Sequence, residues 1–292
     1  MIMPKKPHVT VIAGPTASGK SSLARKMARN TDGIIVNADA LQVYNCWRVL
    51  TARPSQTEEN EFRHLLYGHV NSGDRYSVGD WLREVGKIVG STEQNIIIVG
   101  GTGLYLSMLF SGLPAIPDVS VEVRQKGNAL RAQFGGSEFR SMLEIHDPDT
   151  CKNIDLFNPM RLQRAWEVLV STGKGLSYWQ QQRSEPLLDL AKCEALVLNV
   201  DPQELRSRIS DRFDQMLGLG AIEECRAVMA QGWDPDLPSS KALGAKEIIA
   251  HLQGKMSMDE TKGLTISATC QYAKRQRTWL RSRMRDWTWI EV

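Results

Sequence analysis

The chain has 292 residues, 42% of them hydrophobic and 24% charged, the composition of an ordinary globular protein long enough for a substantial core. Its net charge of +3 is too small to name a partner, so the distribution of charge matters more than the sum. No apolar run is long enough to span a bilayer, and Met1–His8 lacks the apolar stretch of a secretory signal, so a cytoplasmic protein without membrane contact is expected. Five cysteines (Cys46, Cys151, Cys193, Cys225, Cys270) are scattered without a C-x-x-C pair and read as reduced thiols. The histidines show no metal-ligand spacing either.

The first β-rich run, His8–Ala13, leads into Gly14-Pro15-Thr16-Ala17-Ser18-Gly19-Lys20-Ser21, and a helical pattern over Ser22–Arg29 follows. This is the G-x-x-x-x-G-K-[ST] phosphate loop in the strand-turn-helix setting it requires. Its backbone N–H groups converge on phosphate oxygens at the positive end of the next helix. Lys20 adds a point charge, and the Ser21 hydroxyl is placed to hold Mg²⁺. A polyphosphate or pyrophosphate is therefore expected here, although a phosphate loop does not settle chemistry.

The second run, Gly33–Ala38, continues into Asn37-Ala38-Asp39-Ala40-Leu41-Gln42-Val43-Tyr44. Asp39 stands at a strand's carboxyl end, where it reads equally as a functional carboxylate or as a turn aspartate. Trp81, Val85, Ile88 and Val89 then recur at helical spacing. The third run, Ile96–Val99, leads to Gly100-Gly101-Thr102-Gly103-Leu104-Tyr105. Either another group approaches this backbone closely, or the glycines serve a tight strand-to-helix turn.

Strands alternating with helices predict an α/β fold, a P-loop NTPase-like parallel sheet flanked by helices. The Pro/Gly-punctuated Gly112–Asp118 marks a boundary. Residues 118–190, polar and without a clear strand, are expected to be a helical insertion domain between core segments 1–117 and 191–292. A fourth run, Ala195–Val200, precedes a region read as helical up to Trp287.

Basic residues gather near the C-terminus: Lys274, Arg275, Arg277, Arg281, Arg283 and Arg285. At ~100° per residue, Lys274, Arg277, Arg281 and Arg285 fall within about 80° on a helix, beside an apolar stripe of Ile266, Cys270, Ala273, Leu280 and Met284. The basic edge suits a phosphate backbone, with Trp279 or Tyr272 as a stacking surface; a solvated basic face is the alternative. Arg208 and Arg212, four residues apart, suit a clamp on pyrophosphate oxygens.

Together, Gly14–Ser21, Asn37–Tyr44, Thr51-Ala52-Arg53-Pro54, Tyr76-Ser77-Val78, Val99–Leu106, Asn158–Gly173, Arg212–Glu224, Lys241–Ile249 and Gln271–Leu280 resemble the tRNA dimethylallyltransferase (tRNA isopentenyltransferase) family, over nearly the whole chain and in order. The absence of a zinc finger before Val292 suits its bacterial type. The resemblance implies transfer of a dimethylallyl group from its diphosphate to N6 of the adenine 3′ of the anticodon, in tRNAs reading codons that begin with U. The phosphate loop would then hold dimethylallyl diphosphate rather than a nucleotide, with Mg²⁺, and ATP stays open as an incidental ligand.

Matching positions imply Asp39 as general base, and Thr16, Lys20, Ser21, Thr102 and Arg208 or Arg212 around the diphosphate. They imply contacts to a tRNA anticodon stem-loop from Asp39, Ala40, Leu41, Gln42, Thr102, Arg124, Met160, Arg161, Leu162, Gln163, Arg164, Lys274, Arg275, Gln276, Arg277 and Arg281. The enzyme is expected to be a monomer. Ala40, Arg53, Ala245 and Cys270 depart from the family's usual residues. A small-molecule kinase needs neither the basic helix nor Gly-Gly-Thr-Gly-Leu-Tyr. A prenyltransferase acting on free AMP or ATP has no use for the long helical C-terminus. A bare RNA-binding module has none for Asp39, Lys20 and Thr102.

Overall fold

The computed structural model describes residues 7–292, so part of the Met1–His8 segment lies outside the described residues. The chain forms two compact units, one from the stretch up to Phe110 together with Leu187–Val292, the other Ser111–Pro186. The first unit begins β1 (Val9–Ala13), α1 (Lys20–Thr31), β2 (Ile34–Asn37), α2 (Gln56–Glu61), β3 (His64–Leu65), α3 (Val78–Ser91), β4 (Ile96–Gly100) and α4 (Gly103–Ser111). The second unit carries α5 (Val121–Phe134), α6 (Ser137–His146), α7 (Pro148–Cys151), α8 (Pro159–Thr172) and α9 (Leu176–Gln181). The chain then returns to the first unit with β5 (Glu194–Asn199), α10 (Pro202–Gly218), α11 (Ala221–Ala230), α12 (Ala245–Leu252), α13 (Met258–Arg283) and β6 (Thr288–Glu291).

All six strands are parallel, in the order β3-β2-β4-β1-β5-β6. Strands covered on both faces read as continuous apolar runs, as in the Val-Thr-Val-Ile-Ala of β1 and the Ile-Ile-Ile-Val of β4. Val9, Val11 and Ala13 point to a core shared with Trp81, Val85 and Leu106, while Ile12 points to one shared with Ala24 and Ala28. From β1 the chain crosses to β2 on one side, and from β4 it later passes β1 to reach β5 on the other. The crevice beyond the carboxyl end of β1 is the topological switch point where such sheets bind ligands.

Local sequence explains the helix starts. Ser77 and Asp80 form a capping box at α3, and Ser257 and Glu260 form one at α13. Helix α1 differs: it starts from Gly19 with no side chain capping its first N–H groups. Strands β3 and β6 were not expected. The first is too short to show periodicity. The second is fixed by pairing with β5 and by the Asn199 amide donating to Glu291 at 2.8 Å.

The helical unit has its own core of Phe139, Leu143, Leu162, Ala165 and Trp166. The sequence puts its edges at 118 and 190, whereas the compact unit runs 111–186. Its two connectors are tied to each other, with Ser184 N–H donating to the Leu113 carbonyl and Ala115 N–H to that of Gln182. Among the described residues no helix is long and apolar enough to cross a membrane.

Candidate active site

Three loops beyond the carboxyl ends of β1, β2 and β4 build the site. In the first, Ala17 and Gly19 take positive φ values of 61° and 87°, which curls the backbone into a nest of N–H groups before α1. Ser18 is buried with no partner for its hydroxyl, and Lys20 Nζ donates to the Pro15 carbonyl at 3.2 Å. Burial pushes the Lys20 ammonium down to about 8; the Asp39 charge opposes this and the Arg212 charge adds to it. Ser21 is exposed in the first turn of α1.

The loop after β2 is held by Asn37. Its side chain accepts from Asp39 N–H at 2.8 Å and donates to the carbonyls of Asp39 and Leu66, each at 2.9 Å. Asp39 Oδ1 accepts Leu41 N–H at 2.9 Å, an Asx turn, and no described residue hydrogen-bonds to Oδ2. Asp39 is thus both a turn residue and a carboxylate presented to the cleft.

The loop after β4 shows why its glycines are needed. A Cβ on Gly100 would lie 2.1 Å from the Ala38 carbonyl oxygen, one on Gly101 2.2 Å from Gln276 Nε2, and one on Gly103 2.1 Å from the Trp279 ring. The close approach is made by β2's loop and by α13. Thr102 Oγ1 accepts Ala40 N–H at 3.0 Å, joining the second and third loops. Because the contact at Gly100 is with backbone, Gly100→Ala should cost about 2 kcal/mol or more and lower Tm by about 5 °C in a thermal melt; an unchanged Tm would contradict it.

These loops open onto a cleft that is polar at one end and apolar along one wall. Its polar end carries Thr16, Lys20, Asp39 and Arg212; its apolar wall carries Leu41, Leu50, Ile209, Phe213, Met216 and Leu243, with Thr51, Thr265, Thr269 and Tyr272 completing it. Burial pulls the Arg212 guanidinium down and the Asp39 charge pulls it back up; its Nη1 lies 3.5 Å from Thr16 Oγ1. Burial pushes the Tyr272 phenol up and the Asp39 charge adds to that, while the Arg275 charge and the nearby Thr102 hydroxyl oppose it. The cleft therefore holds two cations and one carboxylate beside an apolar wall.

The IPP transferase family model matches residues 42–283, more than half of the chain. The chain belongs to the IPP transferase family. It is 49% identical over 296 residues to the tRNA dimethylallyltransferase of Cereibacter sphaeroides strain KD131, covering 100% of this chain and 93% of that protein. Among solved structures, a tRNA isopentenylpyrophosphate transferase from Staphylococcus epidermidis is similar at 28% identity and a TM-score of 0.66, over 98% of this chain and 93% of that one. A eukaryotic dimethylallyltransferase acting on tRNA is similar at 25% identity and a TM-score of 0.81, over 98% and 74%.

Of the residues the sequence singled out, this IPP transferase chain brings Thr16, Lys20, Asp39, Leu41, Gln42 and Arg212 to one cleft. Arg208 is not among the lining residues. Its guanidinium is paired with Glu204 Oε1 at 2.5 Å, so of the two candidate arginines only Arg212 reaches the phosphate loop. Lys274, Arg275 and Arg281 are exposed and Arg277 is half-buried. Gln276 is a correction: it is 7% exposed, with both ends of its amide bonded to backbone, and presents nothing to an RNA. Arg285 lies past the end of α13, so it leaves the basic face. Trp279 packs against Gly103 with the Arg283 guanidinium 5.8 Å from its ring, so it is no open stacking surface.

In the helical unit, Met160 and Arg161 are exposed, Arg124 is half-buried, and Arg164 pairs with Glu167 at 3.7 Å. Leu162 and Gln163 turn inward, and this corrects the expectation that they meet RNA. Leu162 belongs to the core, and the Gln163 amide donates to Asn128 and Glu167 while accepting from Arg131.

The sequence missed Glu224. Its carboxylate accepts the N–H groups of Arg48, Val49 and Leu50 at 2.5 to 2.9 Å, and so sets the segment that brings Leu50 and Thr51 to the cleft. It also missed the apolar wall, whose signal, Ile209, Phe213 and Met216 along one face of α10, is that of any core-facing helix.

Proposed function

We propose that the chain transfers a dimethylallyl group from dimethylallyl diphosphate to N6 of the adenine 3′ of the anticodon, in tRNAs reading codons that begin with U, releasing diphosphate. One observation carries this reading: a single cleft is lined by the Asp39 carboxylate, the Lys20 and Arg212 cations, and the apolar side chains of Ile209, Phe213, Met216 and Leu243. The polar end suits a diphosphate and the apolar wall a short branched hydrocarbon. The relatives' name, tRNA dimethylallyltransferase, agrees with it.

The chemistry follows from the groups. Adenine N6 is a poor nucleophile because its lone pair is delocalised into the ring. The Oδ2 of Asp39, left without a described partner, orients that amine and takes its proton as the C–N bond forms. Cleavage of the allylic C–O bond leaves negative charge on diphosphate. Lys20, Arg212 and the N–H groups of Ala17 and Gly19–Ser21 stabilise it in a partly enclosed site. Tyr272 lines the same cleft, and Thr102 holds the loop of the base through the Ala40 N–H.

Mg²⁺ fits this donor set. Among the described residues no cluster of three His, Cys, Asp or Glu could hold a metal, so the ion would depend on the Ser21 hydroxyl and on substrate phosphate oxygens, as Mg²⁺ commonly does. Bound there, it would neutralise charge on the leaving diphosphate.

The adenine must leave the anticodon-loop stack, at a cost of a few kcal/mol. Exposed cations on α13 (Lys274, Arg275 and Arg281, with Arg277) and Met160, Arg161 and Arg164 in the helical unit are the RNA contacts that offset it. Lys274→Ala with Arg281→Ala should flatten the slope of log affinity against log salt by about 1.5; an unchanged slope would remove α13 from the interface. The reading takes the enzyme as a monomer working in the cytoplasm, where tRNA is found. The deciding experiment is mass spectrometry of nucleosides from unmodified tRNA incubated with the protein, dimethylallyl diphosphate and Mg²⁺. Isopentenyladenosine is expected; its absence, together with ATP hydrolysis, would favour a kinase.

A further inference from the structure

Gln276 occupies a place that its neighbours disguise. Arg275 and Arg277 flank it on α13, yet its own side chain turns into the protein and ends between two loops. Its Oε1 accepts the Thr16 N–H of the phosphate loop at 2.9 Å, and its Nε2 donates to the Gly101 carbonyl, beyond β4, at 2.9 Å. The partners fix which way the amide faces, since an N–H needs the oxygen and a carbonyl needs the nitrogen. Asn carries the same amide on a shorter stem; Glu loses the donor; Met loses both. The cradle is close: a Cβ on Gly101 would meet Nε2 at 2.2 Å.

We propose that Gln276 is a positioning residue of the donor site, setting the separation of the two glycine loops so that the phosphate loop holds its aim at the diphosphate. The proposal rests on the diphosphate reading of the cleft. Thr16 links the clamp to the site, because it lines the cleft and its hydroxyl meets Arg212. With the Thr16 N–H taken by Gln276 and the Ser18 N–H by the Pro15 carbonyl, the amides left for an anion are those of Ala17 and of Gly19 onward, near the positive φ values of Ala17 and Gly19. Gly101 then acquires a reason: its missing side chain is the space the amide fills.

The test uses the full chain with inorganic pyrophosphate and Mg²⁺ as probe, followed by titration calorimetry, alongside the KM for dimethylallyl diphosphate and the Kd for tRNA. Gln276→Met keeps length and volume and removes both hydrogen bonds; Gln276→Glu keeps the acceptor for Thr16 and guards against a folding failure of the first. Pyrophosphate Kd and donor KM should rise about tenfold or more in Gln276→Met, with tRNA Kd within about twofold of wild type. Gly101→Ala displaces the same amide, so its loss should not add to that of Gln276→Met in a double-mutant cycle. Pyrophosphate affinity within about twofold of wild type in both Gln276 variants would overturn the proposal. So would additive losses, or a loss confined to tRNA, which would return Gln276 to the RNA face. If wild type binds pyrophosphate but releases none from dimethylallyl diphosphate, the functional reading fails while the clamp is still measured.

Discussion

Asp39→Asn is expected to lower the rate of prenyl transfer by about 10²- to 10⁴-fold while tRNA affinity stays within about threefold. The substitution is unusually clean. Asparagine keeps an Oδ1 to accept the Leu41 N–H, and the Asn37 clamp on the backbone is untouched, so the loop after β2 stays in place. What disappears is a carboxylate able to take a proton from N6. Single-turnover rates with saturating tRNA and donor read this step without product release. A near wild-type rate would remove Asp39 as the base, and a parallel fall in tRNA affinity would make it a binding residue.

The second large effect concerns Lys20 and couples function to stability. Its ammonium is buried and pushed from 10.5 down to about 8, so below pH 8 the folded protein carries a desolvated cation that the unfolded chain keeps in water. The sign follows from proton counts. Between about 8 and 10.5 the unfolded state holds the proton and the folded state does not, so this group makes stability rise with pH across that window. At pH 7 the burden is on the order of 3 kcal/mol. Lys20→Met should therefore raise Tm at pH 7 while weakening the diphosphate donor about 100-fold or more. In wild type, donor KM should climb above pH 8 as the charge is lost, and the variant's should not follow it. A lower Tm in Lys20→Met, or a donor KM unchanged by it, would contradict the assignment.

The parts of the site legible in the sequence are those written in consecutive residues. The phosphate loop needs only its own glycines and lysine, and Asp39 follows directly from a buried strand. The same locality misled where side-chain direction decides the role. Gln276 sits between two arginines and reads as one more polar residue on a basic helix, yet 3.6-residue periodicity turns it inward. Gln163 was misread for the same reason beside Arg164. Arg208 and Arg212 share a helix face, and only the Glu204 partner separates their roles. Glu224 was invisible because what it holds, the N–H groups of residues 48–50, lies 174 to 176 positions away. The Gly-Gly-Thr-Gly turn was read as room for a group to approach or as packing. Its glycines are closely approached, as the first reading has it, and the approaching groups are β2's loop and α13 rather than a ligand.

The hydrogen bond from Thr16 to Gln276 spans 260 positions, so the donor pocket draws on both ends of the chain. Biosynthesis runs from the N-terminus, and long-range closure of this kind is slow. A nascent chain can pair β1 with β4 long before α13 exists, yet the pocket lacks Tyr272 and the Gln276 hydrogen bonds until α13 is made. A product cut short before Tyr272 would lack both the cleft wall that Tyr272 supplies and the hydrogen bonds from Gln276 to Thr16 and Gly101.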